Sequence, residues 1–281
     1  MIPPDRAEER RPVGGLRDRL PLVVALACAG LLLAAVGWRA WTEIGGMDGY
    51  ALLADALVHG RLGFVGCFGD ACVRSGTRMY LVPPPFPAVV AAPFVALAGV
   101  WFHRFVVIAA VAAGLTLWLW RRVFDRLGAE PATRDWLLIA LFAATPLPYV
   151  VMRADGAWFF AQAIAFLMAT LAVHEALFGR LVSTGLALGC AVLSRPTAIF
   201  LAPFLVALTL TARARLVPPS RETIAKALRI GLALAGPVVL FALYDWLRFG
   251  DPFETGVSLL AADARGALRG GVRSEEHTSE L

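Results

Sequence analysis

The chain has 281 residues, of which 59% are hydrophobic and 17% are charged, and its mean hydropathy is +0.70. Soluble globular proteins are about 45–50% apolar and about 25% charged, so this composition excludes an ordinary soluble domain. The formal net charge of +5 comes from arginines at the ends of apolar segments. Such charges orient membrane helices, and we therefore reject nucleic acid as a partner. Apolar runs close to the ~20 residues that cross a bilayer predict an all-α polytopic membrane protein.

The two ends of the chain differ from the apolar middle. Residues 1–19 contain five arginines and then meet an apolar segment, which predicts a cytoplasmic N-terminal leader. A cleaved signal peptide is disfavoured, since the apolar segment is long for one and no small-residue cleavage site is clear. Residues 273–281, RSEEHTSEL, resemble the translated read-through of a sequencing-library adapter and are excluded from fold reasoning. We therefore expect the natural chain to continue beyond residue 272, with residues 257–272 starting a truncated C-terminal region.

Between these ends, residues 20–256 predict one transmembrane module of about seven helices. The shortest predicted span, Leu181–Leu193, is also compatible with half of a re-entrant hairpin. The predicted spans are Leu20–Trp38, Phe105–Trp120, Trp136–Met152, Ala157–Phe178, Leu181–Leu193, Thr197–Thr211 and Ile230–Trp246.

The apolar segment Phe86–Val100 decides the topology. It has only 15 residues, includes two prolines and follows Pro83, Pro84 and Pro85. If it crossed the membrane, the arginine clusters near residues 121–126 and 213–229 would lie outside, against the positive-inside rule. We therefore predict that it lies in the interface. Residues 39–104 then form an outer loop with two interfacial helices.

This outer loop carries most of the polar candidates. Asp48 follows the first span closely, and Cys67 and Cys72 either pair as a disulfide in an oxidising compartment or remain free thiols. Arg78 and Tyr80 lie further along the loop. The predicted topology also places four more charged residues on the outer side, namely Asp155, Arg195, Asp245 and Arg248.

Four strings in this order are similar to one known family. They are DGYALLADALVHGRLG (Asp48–Gly63), RMYLVPPPFPAVVAAPFVALAG (Arg78–Gly99), GLALGCAVLSRPTAIFLAPF (Gly185–Phe204) and YDWLRFGDPFETG (Tyr244–Gly256). With the predicted layout, they resemble the GT-C superfamily of polyprenyl-phosphate-sugar-dependent glycosyltransferases, in particular bacterial relatives of protein O-mannosyltransferases and aminoarabinose transferases. Two features depart from the pattern. The usual acidic pair is Asp48-Gly49 here, and the cysteine pair is additional.

The resemblance implies a membrane glycosyltransferase in the bacterial inner membrane, with its active site on the periplasmic face. A sugar would move with inversion from a polyprenyl-phosphate donor to an envelope acceptor that is a lipid, a glycan or a protein. Asp48 would be the catalytic base, and Asp155 would be a second acidic site that binds acceptor or metal in some relatives. Arg195 and Arg248 would bind the donor phosphate, and Arg78 and Tyr80 would contact substrate. No cofactor follows from the sequence, and dependence on a divalent metal stays open.

Each of these residues also has a structural interpretation. Asp48 suits a helix N-cap, and Asp155 suits a capping position in a loop. Arg195 suits a side chain that snorkels to the headgroups, and Tyr80 suits a membrane interface. Arg248 has Asp245 and Glu254 nearby in sequence and suits an ion pair.

Two other functional classes fit a polytopic chain. A transporter or flippase predicts charges near the bilayer midplane and repeated halves with broken helices. We find no internal repeat, and the charges lie at the ends of the spans. A non-catalytic membrane scaffold, including a degenerate relative of the enzymes, is the second alternative.

Overall fold

A computed structural model of the protein describes residues 16–42, 48–67, 71–210 and 221–261. Within these ranges the chain is predominantly helical. In chain order the elements are α1 (Leu16–Thr42), α2 (Gly49–Val58), β1 (Cys72–Ser75), β2 (Arg78–Leu81), α3 (Phe86–Ala98), α4 (Phe105–Arg126), α5 (Pro131–Ala143), α6 (Leu147–Met152), α7 (Ala157–Leu177), α8 (Leu181–Val192), a 3₁₀ helix (Pro196–Leu201), α9 (Ala202–Thr209) and α10 (Arg221–Phe249).

Four of the described helices are long and apolar enough to cross a membrane, by length and composition. They are α4, α7, α10 and the Val23–Thr42 part of α1. Large hydrophobic side chains on α1 and α10 are widely exposed, as expected for surfaces in contact with lipid. The protein thus has the architecture of a helical membrane protein.

Three other predicted spans have a different local structure. The predicted span Trp136–Met152 consists of two helices, because α5 ends at Ala143 and α6 begins at Leu147, with Pro146 between them. Proline lacks an amide donor and clashes with the preceding turn, which explains the break. The segment Thr197–Thr211 starts as a 3₁₀ helix after Pro196 and continues as α9. Helix α8 has 12 residues, or about 18 Å at 1.5 Å per residue, against a bilayer core of ~30 Å.

Two glycines allow α8 and α10 to pack closely. A Cβ atom at Gly185 would lie 2.4 Å from the backbone oxygen of Ile230, and one at Gly189 would lie 2.5 Å from Cγ of Pro237. This is the small-xxx-small arrangement by which membrane helices approach each other. Since Gly185 meets Ile230 and Gly189 meets a residue further along α10, the two helices run in parallel. Their C-terminal ends therefore lie at the same end of the molecule.

Ring contacts and one hydrogen bond bring the other elements to that end. The ring centroids of Phe105 and Phe160, near the starts of α4 and α7, are 4.9 Å apart. The ring of Tyr50, near the start of α2, is 5.7 Å from that of Phe160. Arg195, just after α8, donates to the backbone oxygen of Trp158. We call this the site end: the starts of α2, α4 and α7 with the C-terminal ends of α8 and α10.

The first loop contains a two-stranded antiparallel hairpin that the sequence analysis did not predict. Strands β1 and β2 pair with Cys72 opposite Leu81 and Ser75 opposite Arg78. The two-residue turn starts at Gly76, whose φ of 61° is in the left-handed region that glycine adopts without a steric penalty. The helices α2 and α3 flank the hairpin in the sequence and pack on each other.

Several predicted features lie outside the described residues. They are most of the leader 1–19, the arginines at 213 and 215, the C-terminal region from residue 262 to 272 and the segment 273–281.

Candidate functional site

Asp48 is the N-cap of α2. Its Oδ1 accepts a hydrogen bond from the backbone N–H of Tyr50 at 2.6 Å, and its backbone oxygen accepts from Leu52 N at 3.0 Å. An aspartate in extended conformation is well suited to this position, because it satisfies one of the amides that a helix start leaves unpaired. The cap interpretation is therefore correct. The predicted role as a base does not conflict with it, since the cap fixes the carboxylate at the site end.

Tyr50 holds this helix start in the core. It is fully buried, and its hydroxyl donates to the backbone oxygen of Pro84 at 3.1 Å. The proline-rich exit of the loop is in turn tied to the end of α8, because Phe86 N donates to the backbone oxygen of Leu193 at 3.0 Å. Asp48 and the residues after α8 are thus brought to the same region by backbone contacts rather than by long flexible side chains.

The electrostatic surroundings of Tyr50 identify its charged neighbours. Burial raises the pKa of the Tyr50 phenol well above its usual value, and the negative charge of Asp48 and the nearby Tyr244 raise it further. The positive charge of Arg195 lowers it. An acid from the first loop, a cation from the end of α8 and a phenol from α10 are therefore all close enough to Tyr50 to act on it. The sequence analysis did not single out Tyr50 or Tyr244.

Arg195 lies over Trp158. Its Nη2 donates to the backbone oxygen of Trp158 at 3.1 Å, and its guanidinium carbon is 5.4 Å from the centre of the Trp158 ring. Its Nε is buried and has no hydrogen-bond partner among the described residues. A guanidinium held by its far nitrogen, with a buried donor unused, is suited to binding an anion.

Asp155 lies in the loop between α6 and α7 and pairs with a residue that the sequence analysis did not consider. Its Oδ2 accepts a hydrogen bond from Nη2 of Arg39, at the end of α1. The other oxygen, Oδ1, is buried without a hydrogen bond in the part of the chain that the structure describes, and Nε of Arg153 is 4.0 Å away. Asp155 therefore links α1 to the start of α7 and keeps one acceptor oxygen available.

Arg248 is engaged inside the protein. Its Nη2 donates to Oδ1 of Asp245, its Nη1 donates to the backbone oxygen of Leu81 at 2.7 Å, and only 4% of the residue is exposed. The guanidinium also stacks on Tyr244 and Phe249, at 4.0 and 4.5 Å from the ring centres. The structure thus contains the ion pair with Asp245 that sequence analysis gave as the alternative. The ion pair lies within α10, and the hydrogen bond to Leu81 joins α10 to β2.

The remaining candidates belong to the hairpin and its surroundings. Arg78 is exposed on β2, and the ring of Tyr80 contacts that of Phe249 edge-on at 5.6 Å. A disulfide joins Cys67 to Cys72 and so closes the segment that leads into β1. Among the described residues, no group of three or more histidine, cysteine, aspartate or glutamate side chains is arranged to hold a metal ion.

Buried polar atoms without a hydrogen bond collect at the site end. Within the described ranges, eight such side-chain atoms are found. Buried polar groups normally have partners, so each exception calls for an explanation such as an absent ligand or a catalytic role. Five of the eight belong to residues at the site end: Arg104 Nη1, Asp155 Oδ1, Arg195 Nε, Tyr244 Oη and Arg248 Nε. Four of these five atoms are hydrogen-bond donors, and donors of this kind suit the binding of an anion.

Comparisons with protein-family models, with curated proteins and with solved structures give no significant match for this chain. The arguments for function therefore rest on the residues and their geometry.

Proposed function

We propose that the protein is a membrane glycosyltransferase of the GT-C type, which moves a sugar from a polyprenyl phosphate to an acceptor at the outer face of the bacterial inner membrane. One observation carries the proposal. Asp48 caps the helix start that carries Tyr50, whose ring packs on Phe160 at 5.7 Å. Arg195 binds the backbone of Trp158, two residues before Phe160, so an acid and a cation from distant parts of the chain meet at the start of α7. An acid and a cation with an unused donor are the two groups that transfer from a lipid phosphate requires.

The chemistry assigns one role to each group. The acceptor hydroxyl or amine attacks the anomeric carbon, and the bond from that carbon to the phosphate oxygen breaks with inversion. Asp48 accepts the proton of the acceptor, which requires a carboxylate within hydrogen-bond reach. The electron pair leaves with the phosphate, and Arg195 stabilises the charge that grows there. Asp155 supplies the second acidic position, and its Oδ1, which makes no hydrogen bond among the described residues, would be the atom available to the acceptor.

The position of the proposed site suits a donor that is anchored in the membrane by a lipid. A polyprenyl chain stays in the bilayer while its phosphate reaches the membrane surface, so the site must lie at the end of the membrane helices. The residues that we assign lie at the starts of α2 and α7 and just after α8. The seven-span topology, in which the three shorter apolar segments cross together with the four long helices, belongs to this proposal.

The test is transfer by the purified full chain in proteoliposomes supplied with a panel of polyprenyl-phosphate sugars. We expect sugar to leave the lipid in the presence of envelope extract, and polyprenyl phosphate to accumulate. Asp55→Asn is the matched control for Asp48→Asn, since Asp55 is on the same helix and pairs with Arg61 at 3.2 Å on the surface. Movement of intact lipid-linked sugar across the bilayer without cleavage would instead identify a flippase. No reaction and no movement would favour a scaffold.

A further inference from the structure

Tyr244 is a buried tyrosine near the C-terminal end of α10. Only 8% of it is exposed. The guanidinium of Arg248 lies 4.0 Å from the centre of its ring, which is close enough for a cation–π contact and fixes the ring plane. The aromatic part of Tyr244 is therefore held by the protein itself.

The hydroxyl of Tyr244, unlike the ring, is not held by a contact within the described part of the protein. It is buried and makes no hydrogen bond to any residue that the structure describes. Tyr50 provides the comparison, since it is also buried but donates to Pro84 at 3.1 Å. A buried hydroxyl without a partner costs free energy, because it has given up its hydrogen bonds to water. A phenylalanine would fill the same space without that cost, so the hydroxyl at residue 244 calls for a partner from outside the chain.

The neighbourhood determines what that partner is. The parallel packing of α8 and α10 brings residue 244 level with the end of α8, where Nε of Arg195 is a second buried donor without a partner. Both residues adjoin the start of α2. Arg195 binds the backbone of Trp158, two residues before the Phe160 ring that packs on Tyr50. The Arg248 guanidinium that stacks on Tyr244 also donates to the backbone oxygen of Leu81, whose side chain lies against Gly49. A cationic donor and a neutral hydroxyl donor, both buried without a partner among the described residues and at the same end of the molecule, suit an oxyanion, because charge-assisted hydrogen bonds to such groups are strong.

We propose that the Tyr244 hydroxyl donates a hydrogen bond to the phosphate of a polyprenyl-phosphate lipid, beside Arg195. This inference rests on the proposed function for the lipid nature of the ligand. It also gives different roles to two residues of α10 that are one turn apart. Tyr244 contacts the ligand, whereas Arg248 holds the Tyr244 ring in place.

Binding and stability together test this role. Affinity of the purified full chain in detergent is measured for a long-chain polyprenyl monophosphate, for the unphosphorylated polyprenol and for inorganic phosphate. The wild-type protein should prefer the monophosphate over both. Tyr244→Phe should weaken binding of the monophosphate by roughly 10- to 100-fold, as expected for a hydrogen bond to a charged group. Its binding of the polyprenol should not change.

Thermal unfolding of the unliganded protein distinguishes a ligand contact from a structural role of the Tyr244 hydroxyl. Tyr244→Phe should unfold at the same temperature as the wild type or higher, because no bond within the protein is lost. Tyr50→Phe should unfold at a lower temperature, since it loses the bond to Pro84. Tyr149→Phe, on the exposed surface of α6, is the control that should change neither measurement.

Each other outcome has a definite meaning. Unchanged monophosphate binding by Tyr244→Phe overturns the inference, and so does a fall in its unfolding temperature as large as that of Tyr50→Phe. Equal binding of inorganic phosphate would make the ligand a free anion and would also overturn the lipid assignment. If the monophosphate binds through Tyr244 but no donor supports sugar transfer, the inference stands and the proposed function fails.

Discussion

Replacement of Asp48 separates its role as a helix cap from its proposed role as a base. Asparagine caps helices about as well as aspartate, and its side-chain oxygen can still accept from Tyr50 N. Asp48→Asn should therefore lower the free energy of unfolding by no more than about 0.5–1 kcal/mol, mainly because the negative charge at the helix start is lost. An amide cannot take up the acceptor proton, so transfer should fall by roughly 10²- to 10⁴-fold.

The alanine variant gives the converse information. Asp48→Ala removes both the carboxylate and the cap, whose 2.6 Å bond to Tyr50 N has no substitute on the side chain. It should cost about 1 kcal/mol of stability in addition to the same loss of transfer. Asp48→Ser retains a capping oxygen without an acid, and it should resemble asparagine in both respects.

The assay is release of labelled sugar from polyprenyl phosphate at saturating donor, with thermal unfolding measured on the same preparations. Asp55→Asn should keep full transfer. The reasoning is refuted if Asp48→Asn transfers sugar at the wild-type rate. It is equally refuted if loss of transfer follows loss of stability across the asparagine, serine and alanine variants, because Asp48 would then act only as a cap.

Three further predictions concern the structure around the site. Gly185→Leu should prevent close packing of α8 on α10 and lower stability by several kcal/mol, whereas Gly236→Ala, where a Cβ has open space, should be neutral or slightly stabilising in thermal unfolding of the detergent-solubilised protein. Arg248→Ala should cost about 3–5 kcal/mol, because it leaves the buried carboxylate of Asp245 unpaired; urea unfolding that matches the wild type would contradict this. The pKa of Tyr50 is raised above 10 by burial, so folding favours its neutral form. The stability that this contributes is present at lower pH and is lost as the pH rises above about 10, and Tyr50→Phe should therefore lose less stability over that range than the wild type. An equal slope in both proteins would show that folding does not raise the pKa of Tyr50.

Composition and apolar run length predicted the fold class well, because long apolar helices follow directly from the need to satisfy backbone groups in lipid. The four long helices were all predicted as spans. The local structure departs from a single helix where a proline interrupts a predicted span, as at Pro146, since hydropathy averages over a window and does not register a break of three residues. The hairpin of β1 and β2 has only a short sequence signal, four residues on each side of the turn at Gly76, which is weaker than the signal of the long apolar helices around it.

The candidate site was predictable in its charged residues but not in its partners. Asp48, Asp155 and Arg195 were selected because polar residues at the ends of apolar spans are conspicuous. Arg39, which pairs with Asp155, begins the predicted outer loop, and its separation of 116 residues in sequence from Asp155 gives no indication of contact. Tyr50 and Tyr244 lie within apolar helices, and only burial and the hydrogen-bond pattern distinguish one from the other. Contacts between distant segments depend on packing, which one sequence does not specify.

The sidedness of the first loop tests the central claim most directly, because the account requires Asp48 to face the outside of the membrane. Thr77, at the exposed tip of the hairpin, is replaced by cysteine in a background where Cys28 and Cys190 are serine, and intact cells are treated with a membrane-impermeant maleimide. Ser183→Cys, at the start of α8 and on the opposite face in the predicted topology, is the matched control. The account predicts labelling at residue 77 from outside and labelling at residue 183 only after the cells are opened. Protection of residue 77 until lysis would place Asp48 in the cytoplasm and contradict the account.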